Sequence, residues 1–474
     1  PATVAAPVAW LFAEAMWNAG VPKEALQVVI TDRKALDVLT SSPVVKHTIL
    51  TGGTDTAQQI IRNNPRKPLS AETGGKNVMI ITASADRDHA IMNACASAFG
   101  NAGQKCSACS LLLVEESVYN DPQFRAKLVD CATSMKVGSV WEKGNVVGPM
   151  ITNNNEKLLK AIATLEPGES WLVAPRWVDE KHYILAPTIK LGVRPENYSF
   201  RTELFGPMLS ICPVRDLHHA VELVNSLPYG LTSGLQSLDE KEHKYWRDNV
   251  QAGNLYINRG ITGAIVNRQP FGGMKLSAFG PGLKAGGPNY VAQFMEVTDR
   301  PGAVKDWRKS YNEAWKAEFT VPRDWNHCIG EQNLFRYRPI GSMGFRVMEG
   351  DKPADVEKVL YAAKLAGVKL TVSIDATNAA LEDVKKLCAD LGATLKVQTV
   401  DQFVADIPQY ERLRTISPNV PDSIWKAAAE ADRFVASLPP MNEGRLEMIN
   451  YIKEQVITYE YHRYGSMPVV PEDK

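Results

Sequence analysis

The chain predicts an α/β fold built from two successive α/β units. Three observations carry this. Short, continuous apolar runs such as NVMIIT (77–82) and SLLLVEE (110–116) read as strands covered on both faces. Helical apolar spacing alternates with such runs along most of the chain. A second alternation of the same kind begins near residue 344, beyond a boundary marked by Arg300-Pro301-Gly302.

Each element follows in order. Residues 5–20 space their apolar side chains by three and four, which predicts a helix that ends at Gly20-Val21-Pro22. ALQVVI (25–30) reads as a strand, and a helix starts from Asp32. HTILTGG (47–53) is a short strand running into a glycine turn and then a helix, a βα unit of the doubly wound type. After NVMIIT, residues 86–102 read as a helix that delivers Cys106 near its end, and SLLLVEE follows as a strand. Strands and helices alternate from 117 to 288, and residues 260–288 form a glycine-dense loop region that aromatic and apolar residues keep ordered. VAQFMEVTD (291–299) reads as an exposed strand available for pairing with another subunit. GFRVMEG (344–350), VKLTVSID (368–375) and ATLKVQT (393–399) read as strands, with helices over 353–367 and 381–392 between them, a βαβαβ arrangement.

Composition narrows the function. With 474 residues and 45% hydrophobic content, a large core can be buried. Lys plus Arg and Asp plus Glu are both 53, so no global charge draws the chain to nucleic acid or an anionic membrane. No apolar run has membrane-spanning length. Seven cysteines, an odd number without a disulfide framework, and no visible signal peptide predict a reducing, cytoplasmic setting. Cys106 and Cys109 form a lone C-x-x-C with no second half, so no metal site is expected.

Two segments carry the chemistry. GQKCSACS (103–110) offers a cysteine in a small-residue turn, and ETGGKN (72–77) offers a carboxylate beside a flexible Gly-Gly step. Thiolate attack followed by thioester hydrolysis needs such a pair, Cys106 as nucleophile and Glu72 as the base that activates water. Cys109 is expected to be a small packed residue. Lys105 and Lys76 flank the motifs and read as neighbours outside the mechanism.

Taken with TGGTDTA (51–57) and ELFGP (203–207), in this order and with 34 residues from Glu72 to Cys106, the motifs resemble the aldehyde dehydrogenase superfamily over residues 1 to about 300. KCSAC at the nucleophile, ITGAIVNRQPFGG (261–273) and LSAFGPGLKAGGPNYV (276–291) resemble the 1-pyrroline-5-carboxylate (glutamate-semialdehyde) dehydrogenases, as in the C-terminal part of the bifunctional proline utilization A enzymes. GEQNLFRYRP (330–339) and the βαβαβ after it look like the extra C-terminal domain of that enzyme's longer members.

The resemblance implies NAD-dependent oxidation of L-glutamate γ-semialdehyde to L-glutamate through a Cys106 thioester, the second step of proline catabolism. It implies cofactor contacts from Thr51, Gly52, Gly53 and Thr54 at the pyrophosphate, from Glu203 at the nicotinamide ribose and from Phe205 near the ring. The family usually has Gly-Ser where this chain has Gly52-Gly53, which removes one hydroxyl donor. Ser107, Gly263 and Ala264 would anchor the substrate α-carboxylate, and Phe271 would wall its aliphatic part. The implied fold is aldehyde-dehydrogenase-like: a C-terminal part of the NAD-binding domain (1–76), a catalytic thiol domain (77–288), an oligomerisation strand (289–302), a linker (303–343) and a small Rossmann-like α/β domain without evident catalysis (344–474). An oxyanion-hole Asn and a ribose-binding Lys of the superfamily belong upstream of residues 1–3. The chain is therefore expected to be a fragment of a larger bifunctional enzyme, homo-oligomeric and associated with its missing N-terminal portion. FAD and any peripheral membrane contact are expected only in an upstream proline dehydrogenase domain. NAD against NADP stays open. Dehydrogenation of another small semialdehyde, such as succinate semialdehyde, and a non-catalytic assembly role are the alternatives.

Overall fold

Nine strands form the central sheet of this computed structural model, which describes residues 3–300 and 302–462. From one edge to the other they are Glu331–Pro339, Ile452–Glu460, Asn254–Ile257, Thr232–Gln236, Asn77–Ile81, Cys109–Glu115, Met208–Val214, Thr188–Leu191 and Ser170–Val173. The seven inner strands run parallel, and each edge strand is antiparallel to its neighbour. All five residues of Asn77–Ile81 are buried, as expected of an apolar run covered on both faces. One face packs against the helix Arg87–Phe99 through Ala90, Ala94 and Ala98. The other packs around Trp246, Val221 and Leu235.

A small three-stranded sheet sits beside it, Thr48–Thr51 parallel to Leu69–Glu72 and Leu69–Glu72 antiparallel to Ala278–Phe279. The helix Thr54–Asn63 follows the first strand directly. A third sheet, all parallel, has the order Thr394–Val397, Lys369–Ile374, Ser342–Arg346, Arg412–Arg414, Phe434–Ala436. That order reverses between Ser342–Arg346 and Arg412–Arg414, the place where doubly wound folds hold ligands. Buried Arg414 pairs with Glu447 at 3.1 Å, and Glu447 also accepts from the Tyr451 hydroxyl at 2.9 Å. This unit also reaches the small sheet: Arg62 pairs with Glu430 at 3.3 Å, and Arg66 donates to Asp422 at 2.9 Å.

The elements differ from the sequence reading in three places. Residues 25–30 form no strand. The amides of Ala25 and Leu26 turn back onto the Pro22 carbonyl, and the Trp17 indole fixes the Leu26 carbonyl at 2.9 Å. Residues 291–299 form no strand either. Val291–Phe294 is a short 3-10 turn, because Phe294 packs edge-on against His47 and Tyr290, and Gln293 accepts the Ser70 hydroxyl at 2.5 Å. The segment 303–343 is not a linker. It holds the helix Trp307–Ala314, with Tyr311 buried, and the edge strand Glu331–Pro339. The last strand, Ile452–Glu460, likewise leaves the C-terminal unit and joins the central sheet. Pro1, Ala2, Pro301 and residues 463–474 lie outside the described residues. Among the described residues no helix is long and apolar enough to cross a membrane.

Candidate active site

Glu72 ends the middle strand of the small sheet. Its backbone is held from both sides, opposite Thr51 on one neighbour and Ala278 on the other. The Gly52 amide donates to the Glu72 carbonyl at 3.2 Å, so the TGGT turn and the ETGG motif share one rung. The Glu72 carboxylate accepts the Gly273 amide at 2.8 Å. Burial pushes its carboxyl up to about 7; the Lys284 ammonium and the Gly273 amide oppose that rise, and the Glu454 carboxylate adds to it.

Cys106 arrives on a strained turn. After the helix Arg87–Phe99, capped by Asp86, three residues adopt left-handed backbone: Asn101, Ala102 and Gly103. A side chain at Gly103 would overlap the Gly206 carbonyl, so the nucleophile turn and the ELFGP turn touch backbone to backbone. Gln104 ties them again, donating to the Phe205 carbonyl at 3.2 Å and accepting the Ile151 amide at 2.8 Å. Asn77 holds the turn from below. Its amide donates to the carbonyls of Cys106 (2.6 Å) and Ala108 (3.0 Å), while its side-chain oxygen accepts the Thr232 amide at 3.0 Å. A bulge makes this reach possible: Asn77 lies opposite Cys109, while Val78 already lies opposite Leu111.

Cys106 remains half-buried. Burial and then the facing Glu72 carboxylate push its thiol up, with Glu203 a smaller contributor. The amides of Ser107 and of Cys106 itself point at the sulfur and partly offset the rise. The resting group is thus a thiol rather than a thiolate. Cys109 is buried in the core and pushed up to about 12 by burial, which makes it inert beside Cys106.

Glu203 lies on the same side. Its carboxylate accepts the Gly75 amide at 3.1 Å and fills the space above Gly74, where any Cβ would overlap it. Burial raises its pKa, against the pull of the Gly75 amide, Lys157 and Lys76. Tyr229 faces Thr54, Glu203 and Asp55 together, which links the glycine turn to the ELFGP turn. Gly53 caps the helix Thr54–Asn63 without a side-chain bond, and a Cβ there would meet nothing within 4 Å. An open helix start with free amides, next to a cradled carboxylate, fits a dinucleotide's phosphate and ribose.

The structure therefore gathers Cys106, Glu72, Glu203 and the Thr51–Thr54 turn. Phe205 is partly exposed with left-handed backbone (φ 48) and flanks this group through Gln104. Ser107 is buried, its carbonyl 3.4 Å from the Thr232 hydroxyl. Gly263, with φ 81, and Ala264 lie in the open loop after Asn254–Ile257, the strand whose Tyr256 faces Cys106. Phe271 is half-buried and bridges by backbone to Ala285 at 3.0 Å in both directions. Sequence reasoning missed Asn77, Tyr256 and Lys284. Two of them sat in quoted motifs without a role of their own: Asn77 closes ETGGKN, and Lys284 lies within LSAFGPGLKAGGPNYV (276–291).

The aldehyde dehydrogenase family profile matches residues 1–299. The 1-pyrroline-5-carboxylate dehydrogenase of Geobacillus kaustophilus (strain HTA426) is 33% identical over 307 residues, which covers 63% of this chain and 59% of that protein. The protein of the same name from Bacillus subtilis (strain 168) is 34% identical with the same coverage. The chain thus spans 59% of the length of these curated relatives. Among solved structures, Proline Utilization A (PutA) from Corynebacterium freiburgense matches with a TM-score of 0.83 at 35% identity, over 98% of this chain and 47% of that one. A 1-pyrroline-5-carboxylate dehydrogenase from Thermus with bound NAD matches with a TM-score of 0.58 at 31% identity, over 62% of this chain and 58% of that one. With the family profile spanning the thiol, the base and the glycine turn alike, the chain belongs to the aldehyde dehydrogenase family.

Proposed function

We propose that this chain carries the thiol, the base and part of the cofactor site of an NAD-dependent dehydrogenase that oxidises L-glutamate γ-semialdehyde to L-glutamate in proline catabolism. One observation carries the reading: the Glu72 carboxylate, fixed by the Gly273 amide, faces the half-buried Cys106 thiol. The names of the relatives, 1-pyrroline-5-carboxylate dehydrogenase and proline utilization A, support the substrate and the pathway.

Cys106 passes its proton to Glu72, which releases it to solvent and becomes a carboxylate again, and the sulfur adds to the aldehyde carbon while the Cys106 amide steadies the oxyanion. A nicotinamide held by Glu203 and the Thr51–Thr54 turn would supply the acceptor for the hydride that leaves the carbon. The acyl group then sits on Cys106 as a thioester. Glu72 takes a proton from water, the hydroxide adds to the thioester, and the Cys106 thiolate leaves with glutamate formed. Glu203 and the Thr51–Thr54 turn orient the dinucleotide. Ser107, Gly263 and Ala264 receive the α-carboxylate of the substrate, and Phe271 lines its methylene path.

Steady-state NAD reduction with 1-pyrroline-5-carboxylate, compared with succinate semialdehyde, tests the assignment. The expected result is a higher kcat/KM for the former and no activity in Cys106→Ala. Activity that survives Cys106→Ala, or a preference for succinate semialdehyde, refutes it.

A further inference from the structure

Behind the cleft, one buried lysine ties the base to a strand far along the chain. Lys284 is completely buried. Its Nζ donates to Asn254 Oδ1 at 3.0 Å and to the Gly272 carbonyl. Asn254 Oδ1 also accepts the Gly272 amide at 3.3 Å. Lys284 and Asn254 therefore clamp Gly272 at both its amide and its carbonyl, and the next amide, that of Gly273, is the one that holds Glu72. The geometry leaves no slack. A Cβ on Gly272 would lie 2.8 Å from Glu72 Oε1 and 3.2 Å from Lys284 Cγ, and one on Gly253 would lie 2.7 Å from Lys284 Nζ.

Lys284 is itself held by Glu454, on the strand Ile452–Glu460. Glu454 accepts the Lys284 amide at 2.6 Å and the Asn289 side-chain amide at 2.7 Å. Glu454 lies beyond residue 299, where the family match ends. The charged and titratable groups around the cluster are few. Glu72 faces Lys284, Glu454, Cys106 and Tyr290; Lys284 faces the two carboxylates; Glu454 faces Lys284, Arg445 and Tyr337. Two carboxylates thus share one interior cation, and burial raises both carboxyls and lowers the lysine.

We propose that Lys284 is a positioning residue for Glu72, bracing the Gly272–Gly273 peptide that aims the carboxylate and supplying its counter-charge, and that Glu454 of the C-terminal segment fixes Lys284 in that place. The proposal rests on Glu72 being the base that hydrolyses the Cys106 thioester. Without the ammonium, an ionised Glu72 would face a second buried carboxylate with nothing between them, so the base would ionise only at higher pH.

The test uses the full chain and p-nitrophenyl acetate, an acyl donor that needs neither nicotinamide nor a particular aldehyde. The nitrophenolate burst counts acylation of Cys106, and the steady rate after it reads deacylation. The steady rate of the native chain rises with pH and collapses in Glu72→Gln. Lys284→Met keeps the burst and moves the midpoint of the profile up by about one to two pH units. Lys284→Arg, which retains the charge, moves it less. Because Lys284→Met strands Glu454 and threatens folding, Lys284→Met/Glu454→Gln removes both charges; its midpoint also rises, since Lys284 outweighs Glu454 at Glu72. A slower steady rate with an unmoved midpoint in both variants makes Lys284 a structural residue and overturns the inference alone. No burst in the native chain, or a native profile in Glu72→Gln, overturns the reading of the site and the inference with it.

Discussion

Asn77→Ala removes the buckle under the nucleophile turn without touching the thiol or the base. Its side chain makes three bonds, to the carbonyls of Cys106 and Ala108 and from the amide of Thr232. The Cys106 carbonyl belongs to a half-buried residue and can find water. The Thr232 amide and the Ala108 carbonyl belong to buried residues and cannot. Each stranded buried group costs about 1–3 kcal/mol, which puts the pair at about 2–6 kcal/mol. That is a large share of the roughly 5–15 kcal/mol that holds a domain together. About 3 kcal/mol, in the lower part of that range, already corresponds to roughly a hundredfold easier local opening.

Hydrogen–deuterium exchange over peptides covering 104–110 reads that opening directly. Protection there should fall on the order of a hundredfold in Asn77→Ala, with smaller changes in the C-terminal sheet. Asn77→Asp separates the roles, because it keeps an acceptor for Thr232 but turns an anion toward two carbonyls. It should do at least as much harm as alanine. Unchanged protection over 104–110 in Asn77→Ala would refute the claim that this side chain holds the turn.

Four further outcomes follow from the site and its supports. Glu72→Gln should leave acylation by p-nitrophenyl acetate intact and slow deacylation by about a hundredfold or more, measured as burst against steady rate. In the native chain the raised pKa of Glu72 gives the sign: the base works as a carboxylate, so deacylation should be weak at pH 5 and climb through about pH 7. Gly74→Ala drives a methyl into the Glu203 carboxylate and should raise the KM for NAD about tenfold or more, while the ester burst, which uses no nicotinamide, stays native. Glu447→Ala leaves the buried Arg414 guanidinium without its carboxylate and should cost about 3–5 kcal/mol, seen as an earlier melt of the C-terminal unit by calorimetry.

The chemistry-bearing part of the site was legible because its residues sit in contiguous motifs. A glycine turn after a strand, a Glu-Thr-Gly-Gly step and a cysteine in a small-residue turn each announce their backbone needs locally. Gly103 and Gly74 show why: one must be left-handed beside a neighbouring carbonyl, and the other must leave room for a carboxylate. Apolar runs covered on both faces were legible for the same reason, since burial of Asn77–Ile81 shows in its own composition. What failed were segments whose fate depends on distant partners. ALQVVI has strand composition, but its amides are drawn back to Pro22. VAQFMEVTD has strand alternation, but Phe294 is claimed by His47 and Tyr290.

The same reasoning explains why the contribution of the C-terminal segment was invisible, and why it matters for the site. No local pattern can say that Ile452–Glu460 will leave its own sheet and pair with Asn254–Ile257, some two hundred residues earlier, in a register that sets Asn254 beside Val456. Without that strand, Asn254–Ile257 would present an open edge directly over the residue that clamps Gly272. Unpaired, such an edge moves on its own timescale, and Asn254 and Lys284 move with it. With it, the edge lies inside the sheet, capped further out by the nine-residue pairing of Glu331–Pro339 with Ile452–Glu460. The second α/β unit therefore bears on the proposed site through the pairing of its outgoing strand. That strand carries Glu454, whose carboxylate holds the Lys284 amide behind Glu72.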